Sequence, residues 1–347
     1  MANAISIFTS GSTRAELNKI QAGIVANLQK NSNVFRFKSN SANLSQKAGS
    51  YEFKRYTNST SAAYGTARTA NKGTQLKVPP VVVNMDNHRE IVEEVSGFDA
   101  DRFGLDASVL SMVNQRKANH EMTLAADTGR AFWAEAWAAA AAAGNIHVGP
   151  TSTDAFDEKL EDVILALETT ENNYVRGVDR TLMGGVLAPK QYSRLKTAVN
   201  KMYNANFAVA DEDLRGINGV ALFSELFLPA GAGGIIMARE SVAQPLTMED
   251  YAGERIPLSN DYAIELYYDF GTKALAGDLI HGFIPGDGTH TKVSVVDALP
   301  SSSQDAATYY VTKSASTAYD PETAVSGTNY PAGTVFVYAS SAWKQVK

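Results

Sequence analysis

At 347 residues with 44% hydrophobic side chains, the chain is long enough to bury a sizeable core and is unlike a disordered chain in composition. It contains no cysteine, which excludes disulfides and thiolate metal sites and fits assembly in a reducing cytoplasm. The net charge of −6 conceals a division: residues 1–84 carry eleven Lys/Arg against Glu16 and Glu52, a net +9, leaving the remainder with twenty against thirty-five, a net −15.

A basic end on an acidic body points either to a nucleic-acid arm or to an arm that lies on the acidic body of a neighbour. The basic residues are scattered among Asn, Ser, Thr and Ala with no tight run, which weighs against the first. The opening MANAISIFTSGS lacks the charged and apolar regions of a secretory signal, and no apolar run reaches bilayer-spanning length, so no membrane is expected.

Taken in chain order, Thr13 and Glu16 form a capping box ahead of Leu17, Ile20, Ile24 and Leu28 at helical spacing, which predicts a short amphipathic helix. Asn and Ser then dominate to about Ser45. SYEFKRY and TQLKVPPVVVNM predict the two strands of a long hairpin with polar residues on both faces, and Pro79 and Pro80 exclude a central-strand role. Such a hairpin has no core of its own and needs a surface to lie on.

Beyond an acidic strand, HREIVEEVSGFDADRFG, nothing breaks a helix between the candidate N-cap Asp106 and the stop at Gly144. A helix over residues 107–143 would be about 55 Å long, more than the roughly 20 Å radius of gyration of a compact chain this size. Its middle, Asn114 to Glu121, is polar nearly all round, whereas Trp133 and Trp137 share a face before a run of six alanines.

DAFDEKLEDVILALET predicts a second helix, and DRTLMGGVLAPKQYSRLKTAV a strand, a proline-started turn and a third. GVALFSELFLP and GGIIMARESVA follow as strands. DYAIELYYDFGTKALAGDLIHGFI alternates like a hairpin about Asp269 to Gly271. From about Thr291 the composition turns to Ser, Thr, Tyr and Val, ending in two strands joined at Ala339-Ser340-Ser341. This predicts a separate small β module, removable by a stop after Asp287 without preventing assembly. Tyr309, Tyr310, Tyr330, Tyr338 and Trp343 form either its core, the favoured reading, or an outward binding surface.

Chemistry is hard to find. His120-Glu121 begins like a zinc-protease helix, but position 124 is Leu where the second His belongs. Gly231-Ala-Gly-Gly234 lacks the Lys-Ser/Thr of a phosphate loop. His281, Asp287 and His290 in HGFIPGDGTH are of metal-ligand type, although glycine-rich turns explain them more simply. Glu168 and Glu171 have the character of solvated carboxylates at a helix end. No serine-centred nucleophile elbow is present. No catalytic residue, metal or cofactor is expected.

The order of parts over roughly residues 10–290 resembles the major capsid proteins of tailed bacteriophages, with the Hong Kong 97 type fold shared by encapsulins and herpesvirus capsid proteins. The residues that carry the resemblance are the arm, the hairpin, the acidic strand and the long helix, together with GVLAPKQYSRL (185–195), GINGVALFSELFLPAGAGGIIMARESVA (216–243) and YYDFGTKALAGDLIHGFI (267–284). It implies an α+β fold: an N-terminal arm (1–45), an extended β-hairpin loop (46–85), a peripheral domain with a spine helix (86–150) and a mixed α/β axial domain (151–245). Return strands of the peripheral domain (246–290) and the C-terminal β module (291–347) complete it.

The implied function is self-assembly, as pentamers and hexamers, into an icosahedral shell around phage double-stranded DNA. The alternatives are an encapsulin-type compartment and, more remotely, a metal-dependent enzyme. In that arrangement Lys54, Arg55, Arg68 and Lys72 of the extended loop would meet Glu90, Glu93, Glu94, Asp99 and Asp101 of a neighbour, and Trp133 and Trp137 would pack the spine helix on its sheet. The expected partners are further copies of the chain, a separate scaffolding protein, a portal protein and DNA bound without sequence specificity. The expected location is the virion, built in the host bacterial cytoplasm.

Overall fold

The computed structural model describes residues 19–20, 22–28, 32–39, 49–59, 79–98, 109–151, 156–202, 219–248, 252–256, 258–259, 261–300, 304–317, 329–339 and 342–346. The unbroken run of helix formers becomes one 35-residue spine helix, Val109–Ala143, about 52 Å long. Asp106 lies outside the described residues. The stop is at Gly144, whose φ of +79° suits glycine. Gly144 N–H donates to Ala141 O at 3.0 Å and Asn145 N–H to Ala140 O at 2.9 Å, the paired bonds of a Schellman end.

The polarity gradient along this helix is also a burial gradient. In its first half the buried residues among those described are widely spaced, namely Val113, His120 and Leu124; in its second half the pairs Phe132/Trp133, Ala136/Trp137 and Ala140/Ala141 are all buried.

The second half lies on a five-stranded sheet of order β4-β13-β7-β5-β6, made of Ile146–Val148 (β4), Met183–Leu187 (β5), Ala221–Ser224 (β6), Gly234–Ala238 (β7) and Ile280–Ile284 (β13). Strands β5, β7 and β13 are buried throughout because both faces are covered, which is why they read as continuous apolar runs. On β7, Ile235 and Met237 join the cluster beneath Trp133 and Trp137. Ile236 and Ala238 join the opposite cluster, with Phe156, Leu160, Ile164 and Leu195 of the helices Phe156–Glu168 and Pro189–Met202. Pro189 sits at the first helical position, where its missing N–H costs nothing.

The first half of the spine helix packs on a second sheet in which Tyr262–Phe270 (β11) pairs with Asn87–Val95 (β3), Leu246–Met248 (β9) and Ala252–Arg255 (β10). Helical residues 19–20 and 22–28 cover the same core: Ile20, Ile24 and Leu28 meet Leu124, Ile264, Leu266 and Tyr268. Thr13, Glu16 and Leu17 lie outside the described residues. In the Asn/Ser-rich stretch, where no element is expected, a five-residue arm helix, Asn33–Phe37, buries Val34 and Phe37. Its Phe37 ring meets Trp133 edge-on at 5.7 Å.

The extended hairpin pairs Ser50–Lys54 (β1) with Pro80–Asn84 (β2), and Phe53 and Val83 anchor its base on Ala243 of the short strand Val242–Ala243 (β8), which pairs Lys273–Ala274 (β12). The expected hairpin over 261–284 is not formed. Strand β11 belongs to the second sheet, whereas β13 inserts between β4 and β7 of the five-stranded one. Only β11 alternates; β13 is buried on both faces and belongs to a different environment.

The tail forms its own sheet of order β14-β15-β18-β19, from Lys292–Val296 (β14), Thr308–Thr312 (β15), Val335–Ala339 (β18) and Ala342–Gln345 (β19), with a two-residue pair Ser316–Thr317 (β16) and Asn329–Tyr330 (β17) beside it. The packing overturns its expected independence. Tyr309, Val311 and Val335 point into the main core with Trp137, Ile235 and Ile284. Tyr310, Phe336 and Trp343, on the other face, form an aromatic cluster with Tyr330 and Tyr338. Gly333 lies against the spine helix so closely that a Cβ there would fall 2.5 Å from Trp137 Cδ1, and its carbonyl accepts the Trp137 indole N–H at 2.7 Å.

Candidate inter-subunit contact surface

Lys54 ends β1 on the face opposite the buried Phe53, with Nζ 3.9 Å from Glu52 Oε1 and both side chains exposed. Arg55 is drawn into its own chain. Its two terminal nitrogens donate to the two oxygens of Asp278 at 2.7 and 2.8 Å, and its guanidinium carbon lies 4.4 Å from the centre of the Tyr174 ring. Burial would raise the Asp278 carboxyl, but the hydrogen bonds from Arg55 and Asn172 outweigh it and hold that carboxyl below its ordinary value.

The next residues follow the 172–176 turn: Asn58 N–H donates to Asn173 O at 2.8 Å, and Arg176 donates to Ser59 O at 3.1 Å. The root of the loop is therefore fixed to the body by a charge-assisted pair worth roughly 1.5–3 kcal/mol. Arg68 and Lys72 lie outside the described residues, as do Asp99 and Asp101.

The two-residue period of β3 sorts its acids. Glu93 shares the inner face with Ile91 and meets the spine helix: Arg116 donates to it at 2.8 and 2.6 Å, and His120 Nε2 lies 3.1 Å away. The Arg116 hydrogen bond holds its pKa below the ordinary glutamate value. Glu90 and Glu94 point the other way and are exposed, opposite Tyr267 and Ala263 of β11. The same outer face carries Glu265 and Asp269, with exposed Val92 directly opposite Glu265. Hydrogen bonding to Glu265, and secondarily to Glu90, pushes the Tyr267 hydroxyl up to about 12.

Trp133 and Trp137 are fully buried within the single chain. Of the three candidate ligands Asp287 and His290 pair, His290 Nδ1 lying 2.6 Å from Asp287 Oδ2, while His281 lies apart from them. His281 stacks on His147 of β4 with centroids 5.3 Å apart and facing nitrogens at 3.0 Å, while Asp287 accepts from the Thr289 and His290 N–H groups in a turn. Among the described residues no three His, Asp or Glu side chains are grouped to hold a metal ion.

The histidine pair predicts an acid sensitivity. Burial, with the adjacent His147, pushes His281 down to about 4, and burial lowers His147. An unfolded imidazole titrates near 6.5, so the unfolded state takes up protons first and stability is lost as pH falls from 6.5 toward 4, by up to about 3 kcal/mol for His281. Thermal melts of a His281→Phe variant should show a smaller loss over that interval than the parent chain, whatever the stability of the variant at pH 7.5. An equal loss would remove the pair from the acid response.

The described fold is thus a long helix laid across two sheets with the base of an extended hairpin rooted beside it. No family model and no curated protein matches the sequence. Solved structures do: the capsid of Ralstonia phage GP4 is similar at a TM-score of 0.53 with 14% identity, over 74% of this chain and 92% of that one. The capsid of cyanophage P-SCSP1u is similar at 0.52 with 15% identity, over 70% and 85%. The chain has the tailed-phage major capsid protein fold.

The root pair of Arg55 and Asp278 escaped the sequence reading because its partners are 223 positions apart. The inward turn of Glu93 was within reach, since Ile91 marks its face.

Proposed function

We propose that this chain is the major capsid protein of a tailed bacteriophage, assembling with copies of itself, as pentamers and hexamers, into an icosahedral shell around double-stranded DNA. The observation that carries the reading is the likeness to the capsid of Ralstonia phage GP4 over 92% of that chain. The reading needs no catalysis and no cofactor. A separate scaffolding protein and a portal protein are its further partners, DNA is held without sequence-specific contacts, and the shell forms in the host bacterial cytoplasm and ends in the virion. An acidic body suits a wall along which DNA must move during packaging, since a basic lining would hold its phosphates.

In this reading Lys54, with Arg68 and Lys72 farther along the loop, meets Glu90, Glu94, Asp99 and Asp101 of a neighbouring subunit. Arg55 and Glu93 shape the two surfaces from within through Asp278 and Arg116. Exposed pairs are individually worth less than about 1 kcal/mol, so single reversals should have little effect. The triple variant Lys54→Glu, Arg68→Glu, Lys72→Glu repeats the repulsion at every contact. It is expected to remain a folded small species in sedimentation at low salt where the parent chain sediments as large particles. Normal particles from the triple variant would show that the loop does not act through charge.

A further inference from the structure

Lys38 follows the arm helix and is only 5% exposed, yet no carboxylate among the described residues pairs with it. Among the described residues its Nζ has one acceptor, Gln244 O at 3.3 Å, and it lies 3.7 Å from the centre of the Phe35 ring. An ammonium has three protons to place, so one carbonyl and one ring face leave it poorly solvated. Among the described residues, the polar groups nearby are otherwise engaged or exposed. The Gln244 amide donates to Thr128 O and Thr272 Oγ1, each at 2.9 Å. On the spine helix Asp127 is occupied by the Tyr268 hydroxyl and Arg130. Glu225 is taken up by Asn33 at 3.0 Å and the Phe227 N–H at 3.1 Å, and Glu240, in the turn before β8, is exposed.

The position matters because Lys38 is where the arm joins the body. It forms a parallel bridge with Val242, Ser39 N–H donates to Val242 O at 2.9 Å, and Glu240 N–H donates to Phe37 O at 2.8 Å. The next residue of β8, Ala243, carries Phe53 and Val83 at the root of the extended hairpin.

We propose that Lys38 makes arm residues 33–39 a pH-graded clasp, loosely docked while its amine is protonated and firmly docked once the proton is lost. Apolar contacts of Val34 and Phe37 pull the segment in, and desolvation of the ammonium opposes them. Burial lowers the docked amine to about 8 from an ordinary 10.5. An undocked arm therefore binds more protons between those values, and docking strengthens as pH rises through that window, by up to roughly 300-fold. Because β8 holds both arm and loop root, the clasp also sets how firmly the hairpin is seated.

Amide hydrogen exchange of the full-length chain, corrected for the intrinsic pH dependence of exchange, tests this. Protection of residues 33–39 is expected to rise about twentyfold from pH 7.5 to 9.5, while the central strands β5 and β7 do not change in parallel. Lys38→Met keeps the volume without the charge and should protect the segment on the order of a hundredfold more than the parent at pH 7.5, with no pH dependence. A flat profile in the parent chain overturns the proposal without recourse to a variant. So does a folded Lys38→Met protein whose arm is less protected than the parent's.

Discussion

A chain that stops after Asp287 is expected to accumulate as insoluble protein and to form no particles. The stop removes Tyr309, Val311 and Val335 from the core cluster that contains Trp137, Ile235 and Ile284. Each fully buried side chain of this size contributes about 1.5–3 kcal/mol, so the three together approach the whole stability of a typical domain, about 5–15 kcal/mol. The cut also takes Gly333 O from the Trp137 indole and uncovers Gly231, which packs against Val335. Solubility screening followed by electron microscopy decides the matter. Soluble truncated protein that builds shells would show that the tail sheet is an appendage after all.

Replacing either spine tryptophan with alanine should cost roughly 3–5 kcal/mol and leave most of the protein insoluble. Trp133 fills the space between Phe37, 5.7 Å away, and Phe132, 4.8 Å away, so its loss opens a cavity between arm and sheet. Trp137 lies against Gly282 of β13 and Gly333 of the tail, so its loss detaches the spine helix from both. The milder Trp137→Phe separates ring area from hydrogen bond: it leaves the Gly333 carbonyl without its donor, for about 1–3 kcal/mol and a lowered melting temperature in an otherwise folded protein. Soluble, stable alanine variants that fail only in assembly would place the indoles at a contact between subunits instead.

The two tryptophans and the alanine run were legible because helix propensity, spacing and the glycine stop agree along one stretch of chain. The hairpin base was legible for the same local reason, and β1 and β2 pair from Ser50↔Asn84 to Lys54↔Pro80. What the sequence did not disclose is which surfaces come together across distance. The tail strands carry apolar residues on both faces, and composition alone does not distinguish Val335, which enters the main core, from Phe336, which stays in the tail's own cluster. The glycine turn near Gly271 announced a reversal but not that β13 leaves for another sheet. The arm helix was hidden among Asn and Ser because five residues carry too little periodicity, and Phe37 is held by tertiary contacts rather than by propensity. At the contact surface the charge asymmetry was visible in composition, whereas the bond between Arg55 and Asp278 depends on the folded path of the chain between them.

Electron microscopy of negatively stained material from cells expressing the full chain tests the central claim most directly. The account predicts closed shells of uniform size, or curved sheets of the same subunits where scaffolding is missing. A folded, monodisperse monomer or small oligomer that stays so at high concentration, with no particles in the pelleted fraction, would contradict it.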